Sequence, residues 1–343
     1  MIGPNMNRHL GGEHLSTSAD KSIPVRPPYD PELEVGLAGL PADIFGTEDG
    51  PSSIEETRAL MTSWRPSIES LTLGGAVDID EHTIPGPQGS PDIKVLIMSP
   101  SQGDGPWPVI YHIHGGAMVA GDRYTGAQSF ADLVVELKVV VVSVEYRLAP
   151  ENPHPAPVED CYAGLVWVAD NTDALKIDPR RIVILGGSAG SGLAASTALL
   201  ARDRKGPVLS HQILGCPMLD HRLTGPSTYA ADLHSRNMRK TLQEGWGALL
   251  GDVADGSDVS PYSSPARADD LSGLPPTYID IGGSDILLSE AVEYATRLSY
   301  AGVQVELHVW PGAFHGFNSL VPHAAVSRTA NETRLAYLRR VLH

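Results

Sequence analysis

Ile182-Val-Ile-Leu-Gly-Gly-Ser-Ala-Gly190 decides how the rest of this 343-residue chain is read. Four apolar, largely β-branched residues read as a buried strand. The run then breaks into Gly186-x-Ser188-x-Gly190 and continues as an Ala/Leu-rich stretch with helical character. Strand, sharp turn and helix in that order lift a serine hydroxyl above the sheet, and the flanking glycines let strand and helix approach closely. Ser188 therefore reads as a reacting group.

Outward from this turn, β-rich runs recur at 109–114, 139–144, 212–216, 276–281 and 305–310. Helical patterns at 127–136, 158–169, 190–201, 289–300 and 325–341 separate most of them, with Gly302 placed as the stop of the fourth. Near-continuous apolar strands alternating with helices predict an α/β fold whose mainly parallel sheet is covered on both faces. Ahead of them, 77–85 and 93–99 flank the turn-rich Gly86-Pro-Gln-Gly-Ser-Pro91, which predicts an antiparallel hairpin. Residues 1–75, rich in Pro, Gly and acidic side chains with helix-like pieces near 30–39 and 53–63, do not read as sheet core. The polar, helical segment 222–256 interrupts the alternation where a lid would be inserted, leaving 76–221 and 257–343 as the main unit.

Composition narrows the partners. With 25 basic against 41 acidic residues the formal charge is −16, which argues against nucleic acid or an anionic membrane surface as the main partner. No stretch approaches the ~18 apolar residues of a membrane span, and residues 1–10 lack the apolar run of a secretory signal. A cytoplasmic protein is expected. Cys161 and Cys216 are the two cysteines; neither context suggests a disulfide framework, and both are expected to be buried small hydrophobes.

A serine hydroxyl is a poor nucleophile at neutral pH, so it needs a base, and the base needs an acid that fixes its tautomer. Asp285 follows the run 276–281 and His315 follows 305–310, each in the loop after a later strand. Asp280 and Glu290 compete for the acid, His308 and His323 for the base, but none sits in the right loop. Asp285 also reads as a helix cap. The run 109–113 ends in His114-Gly-Gly-Ala117, whose amides can turn toward the serine, while Ala189 supplies a further N–H. His112 and His114 form an H-x-H pair, but no third ligand at sensible spacing accompanies it, so no metal is expected.

These residues carry a family likeness. His114-Gly-Gly, Tyr146-Arg-Leu-Ala-Pro-Glu151 with Pro157-x-Glu-Asp160, Gly-Gly-Ser188-Ala-Gly, Leu274-Pro-Pro276, Ser284-Asp285-Ile-Leu and His315-Gly-Phe317 stand in family order. From about Val77 onward the chain resembles the bacterial hormone-sensitive-lipase-like esterases, a branch of the α/β-hydrolases. The resemblance implies an eight-stranded α/β-hydrolase sheet with a helical cap made from 1–75 and 222–256. It implies Ser188 as nucleophile, His315 as general base, Asp285 as its orienting acid, and Gly115, Gly116 and Ala189 as oxyanion donors. Short-to-medium-chain ester substrates, no cofactor and frequent homodimerisation are also implied. Ala117, Met118, Tyr124 and Trp246 are the candidate pocket residues. The Tyr146–Glu151 block and Asp160 are expected to brace the loop beneath the site. Two positions depart from the family: Ala117 stands where relatives carry Gly, and Gly187 where they carry Asp. A methyl at 117 narrows the acyl side and resists positive φ.

Three other functions compete. Gly190-Ser-Gly192-Leu-Ala-Ala195 formally matches a dinucleotide fingerprint, but it lies inside the expected helix, with no acidic strand end about 20 residues on. A non-catalytic binding protein on the same fold, like the related plant hormone receptors, would have lost His315. Hydrolysis of an amide in a small acylated metabolite uses the same acyl-enzyme chemistry, with an amine as the harder leaving group.

Overall fold

The computed structural model describes residues 26–40, 50–229, 233–253 and 258–343. The remaining parts of the expected cap, including residues 1–25, lie outside the described residues. Eight strands form one sheet: β1 (Val77–Ile84), β2 (Ile93–Pro100), β3 (Trp107–Ile113), β4 (Val140–Glu145), β5 (Ile177–Gly187), β6 (His211–Gly215), β7 (Thr277–Gly282) and β8 (Val305–Trp310). Their order is β1-β2-β4-β3-β5-β6-β7-β8. Strand β2 runs antiparallel to both neighbours, and every pairing from β4 through β8 is parallel. Hairpin and parallel sheet both stand as the sequence predicts.

The helices are α1 (Pro31–Ala38), α2 (Ile54–Ser63), α3 (Ile68–Leu71), α4 (Ala127–Leu137), α5 (Ala156–Asp170), α6 (Thr172–Leu175), α7 (Ala189–Asp203), α8 (Leu233–Leu250), α9 (Leu288–Tyr300), α10 (Phe317–Leu320) and α11 (Ala325–Leu342). Among the described residues no helix is long and apolar enough to cross a membrane. Side chains alternate across a strand, so each strand feeds two cores. Val109, Tyr111, Val140, Val142, Ile182 and Ile184 pack with α5, α7, α8 and α9. Ile110, Val139, Val141, Val183 and Leu185 pack with α4 and α11 on the other face. Gly302 takes φ 84° just past α9, as a C-terminal stop requires.

The largest difference in a strand boundary from the sequence reading is at β5. Strand β5 starts at Ile177, which pairs with Trp107 across an irregularity in register, rather than at 182. The intervening Asp178 accepts hydrogen bonds from Arg180 and Arg181, a polar, Pro-containing stretch that hides the strand from hydropathy. The sheet places four chain crossings at one end: the loops after β3, β5, β7 and β8 all leave the carboxyl ends of parallel strands, where α/β sheets hold their sites.

Candidate active site

The turn between β5 and α7 carries Ser188 at φ 54° and ψ −121°, a region that residues with side chains avoid. Its neighbours hold it there. Ser188 N–H donates to Gly215 O at 2.9 Å, and Ser188 O accepts from Ser191 N at 3.0 Å and from Met218 N at 3.2 Å. The glycines answer to close approach: a Cβ on Gly186 would lie 2.2 Å from Gly190 O, and one on Gly190 would lie 2.1 Å from Ile113 O. Gly187 is different, for a Cβ there would meet nothing within 4 Å.

Ser188 Oγ lies 2.9 Å from His315 Nε2, and His315 Nδ1 lies 2.8 Å from Asp285 Oδ2. A carboxylate only accepts, so Nδ1 carries the proton and Nε2 faces the serine as an acceptor. Asp285 is 2% exposed, and its other oxygen accepts from Leu287 N at 2.9 Å, so one carboxylate both starts the turn into α9 and orients the imidazole. Burial alone would lower the His315 pKa; the charge of Asp285 and its hydrogen bond outweigh that and raise it above the ordinary value.

The rivals are occupied elsewhere. Asp280 is gripped by Arg334, at 2.9 and 2.7 Å. Glu290 accepts the N–H groups of Leu219 and Asp220, and burial pushes its carboxyl well above the usual range. His308 pairs with Glu306 at 3.0 Å. His112 sits 2.9 Å from Ser143 Oγ, and burial pushes its pKa down to about 3. The H-x-H pair is thus split, because His114 stacks on Tyr146 with ring centroids 4.1 Å apart and donates from Nδ1 to Gly115 O at 2.8 Å. Gly190 and Gly192 lie inside α7, where a Cβ on Gly192 would meet Met218 O at 2.2 Å. The fingerprint-like glycines let α7 pack closely against its neighbours.

Beside the serine runs the loop after β3. Among the described residues, the N–H groups of Gly115, Gly116 and Ala189 make none of the backbone hydrogen bonds that tie the surrounding loops and caps. A Cβ on Gly115 would lie 2.9 Å from Gly187 O, so loop and elbow are in contact. Ala117 takes φ 51° and Met118 φ 64°, the conformation that a side chain resists. The methyl of Ala117 fits against α8 at Gly245, where an added Cβ would come within 2.9 Å of it. The Tyr146–Glu151 segment does brace this loop: Tyr146 Oη donates to His114 O at 2.9 Å, and Ala149 N–H to Met118 O at 3.0 Å. Asp160 anchors that segment through Arg147, at 2.7 and 2.8 Å.

Of the four pocket candidates, Ala117, Met118 and Trp246 share the apolar cluster of the elbow residues Ala189 and Leu193. Tyr124 is placed in the opposite core, its hydroxyl donating to Glu81 and its ring under Arg65 at 3.9 Å. A tyrosine turns where its hydroxyl finds a partner, and Glu81 lies far off in sequence.

Cysteine 216 was expected to be a buried hydrophobe; only Cys161 is fully buried, and Cys216 is partly exposed. The thiol of Cys216 lies with Asp285 and His315 in a group whose ligating atoms are all within 4.8 Å of one another. Although part of the residue reaches the surface, its thiol is enclosed, and burial, then the charges of Asp285 and Asp280, push that thiol up to about 12. Its position just after β6, beside the strand carrying the serine, was the available signal.

Over residues 110–319 the chain matches the α/β-hydrolase fold family. The carboxylesterase NlhH of Mycobacterium tuberculosis is 35% identical over 324 residues, covering 93% of this chain and 98% of the relative. The esterase LipI of the same species is 31% identical over 328 residues, covering 95% and 99%. Among solved structures, a bacterial heroin esterase superposes with a TM-score of 0.82 at 38% identity, covering 92% of this chain and 98% of that one.

Proposed function

The chain belongs to the hormone-sensitive-lipase-like esterase branch of the α/β-hydrolase family, and from that premise we propose that it is a carboxylic ester hydrolase working through an acyl-enzyme on Ser188. The observation that carries the reading is the unbroken line from Asp285 through His315 to Ser188, with contacts of 2.8 and 2.9 Å. His315 Nε2 takes the serine proton as Oγ attacks the ester carbonyl, and Asp285 stabilises the imidazolium that forms. The oxyanion rests on the N–H groups of Gly115, Gly116 and Ala189. The His315 proton then passes to the leaving alcohol. Water adds to the acyl-enzyme by the same steps in reverse roles, releasing the acid.

The substrates are small esters with short-to-medium acyl chains, received by the apolar surface of Ala117, Met118 and Trp246. Helices α2 and α8, the described parts of the two expected cap segments that reach the site, cap that surface. The support is direct contact: Met61 of α2 would lie 3.2 Å from a Cβ on Gly116, and α8 meets Ala117 at Gly245.

Replacing the nucleophile tests the reading. Ser188→Ala should lower kcat for p-nitrophenyl butyrate by about 10⁴-fold or more with the unfolding temperature retained. Retained turnover in that variant would refute the assignment.

A further inference from the structure

The geometry points to Arg58 as a positioning residue for this hydrolysis: from α2 it clamps the loop after β3 into the shape that presents its N–H groups to the oxyanion. The inference rests on the reading of Gly115 and Gly116 as oxyanion donors. Gly116, Ala117 and Met118 follow one another with φ of 116°, 51° and 64°. Two of the three carry side chains in left-handed backbone, a state that persists only where surrounding structure over-determines it.

Arg58 supplies that surrounding structure from a distant part of the chain. Its Nε donates to Val119 O at 2.7 Å and its Nη2 to Ala149 O at 3.0 Å. Its Nη1 and Nη2 also hold Glu151, at 2.8 and 2.7 Å. Val119 directly follows the strained residues, and Ala149 is the residue whose N–H holds Met118 O at 3.0 Å. One guanidinium therefore ties the loop and its brace together. Met61, one turn along the same face of α2, packs against Gly116, and Arg65 just beyond the helix pairs with Asp122 at 3.0 Å. The spacing 58, 61 puts Arg58 and Met61 on one side of α2, and Arg65 follows in the turn after it. The job needs a planar fork with donors in fixed directions, which a lysine ammonium does not offer. The partners of Arg58 are loop carbonyls and a surface carboxylate rather than core side chains, so its loss frees the loop while the sheet stays folded.

The test uses the full chain with Arg58→Ala and Arg58→Lys. Readouts are kcat and KM for p-nitrophenyl butyrate, the unfolding temperature, and the Ki of an alkyl trifluoromethyl ketone. Ser188 Oγ adds to that ketone's carbonyl and its proton passes to His315, leaving a tetrahedral adduct with an oxyanion. Arg58→Ala should lower kcat and raise Ki by about ten-fold each, part of the loss of one whole oxyanion donor, with KM within about two-fold. Arg58→Lys should fall between. Adding Ala117→Gly to Arg58→Ala removes strain that the clamp opposes and should restore part of kcat. Unchanged kcat and Ki in Arg58→Ala overturn the clamp, as does a loss confined to KM or to unfolding temperature. A wild-type enzyme that binds the trifluoromethyl ketone no more tightly than its methyl ketone counterpart overturns the oxyanion reading, and the clamp with it.

Discussion

The elbow at 186–190 and the loop at 114–120 meet beside Ser188, yet only one of them shows its shape in its own sequence. The elbow is marked by its own letters, one strained serine between Gly186 and Gly190 where carbonyls approach within 2.2 Å of a would-be Cβ, although Gly215 and Met218 complete its hydrogen bonds. The loop carries Ala117 and Met118 in positive φ, against their own preference. Arg58, Ala149 and Gly245 hold it there from segments far away in sequence. Strain at a site can be written locally or imposed from outside, and only the first kind is visible as a motif.

The largest expected effect concerns the relay that serves the elbow. Asp285→Asn removes the charge that fixes the His315 tautomer and should lower kcat by about 10³–10⁴-fold. The sign of the pH effect follows from the raised His315 pKa. The base must be neutral, so wild-type activity should fall as pH drops through a value above 6.5. With the charge of Asp285 gone, the limb of the residual activity should move to lower pH. A limb that stays in place breaks the assignment of His315 as the titrating base.

A matched pair of substitutions tests the comparison itself. Gly190→Ala forces a Cβ to 2.1 Å from the carbonyl of Ile113, deep between strand and helix, and should cost about 3 kcal/mol of stability, read by thermal unfolding. Gly245→Ala brings a Cβ to 2.4 Å from the carbonyl oxygen of Ala117, from a helix outside the sheet. Because α8 can shift without disturbing the sheet, it should cost about 1 kcal/mol, less than Gly190→Ala, and lower kcat by about ten-fold through the displaced loop. Similar stability losses in both would erase the distinction between local and imposed shape.

The smallest effect belongs to Gly187, where the family resemblance implies Asp. A Cβ there meets open space, so Gly187→Asp should change stability by no more than about 0.5 kcal/mol. Its carboxylate, next to Ser188, favours the imidazolium and should shift the acid limb of the activity profile slightly upward. A large loss of stability would show that the elbow is tighter than the glycine geometry indicates.

Much of this was legible before any coordinate. Six β-rich runs and a hairpin became eight strands; β3, β4 and β7, buried along almost their whole length, are mostly apolar because both of their faces are covered. Ser188, Asp285 and His315 could be chosen from spacing because each lies in the first loop after a strand of the parallel sheet. Tyr124, by contrast, could not be placed: its neighbours Glu81 and Arg65 come from β1 and from the turn after α2. Cys216 was read as core from its apolar neighbours, yet the end of β6 opens beside His315. Polar letters hid the start of β5, and nothing near Arg58 in the sequence signals its role.

The sequence by itself determined the sheet, its order of chemistry along the chain, and the strained serine, since alternation, turns and glycines act on near neighbours. Only the tertiary structure decided how a loop with Ala117 and Met118 in left-handed backbone keeps its N–H groups aimed. That shape depends on hydrogen bonds from a guanidinium 61 residues away from Val119, and no local pattern encodes the meeting of such distant groups.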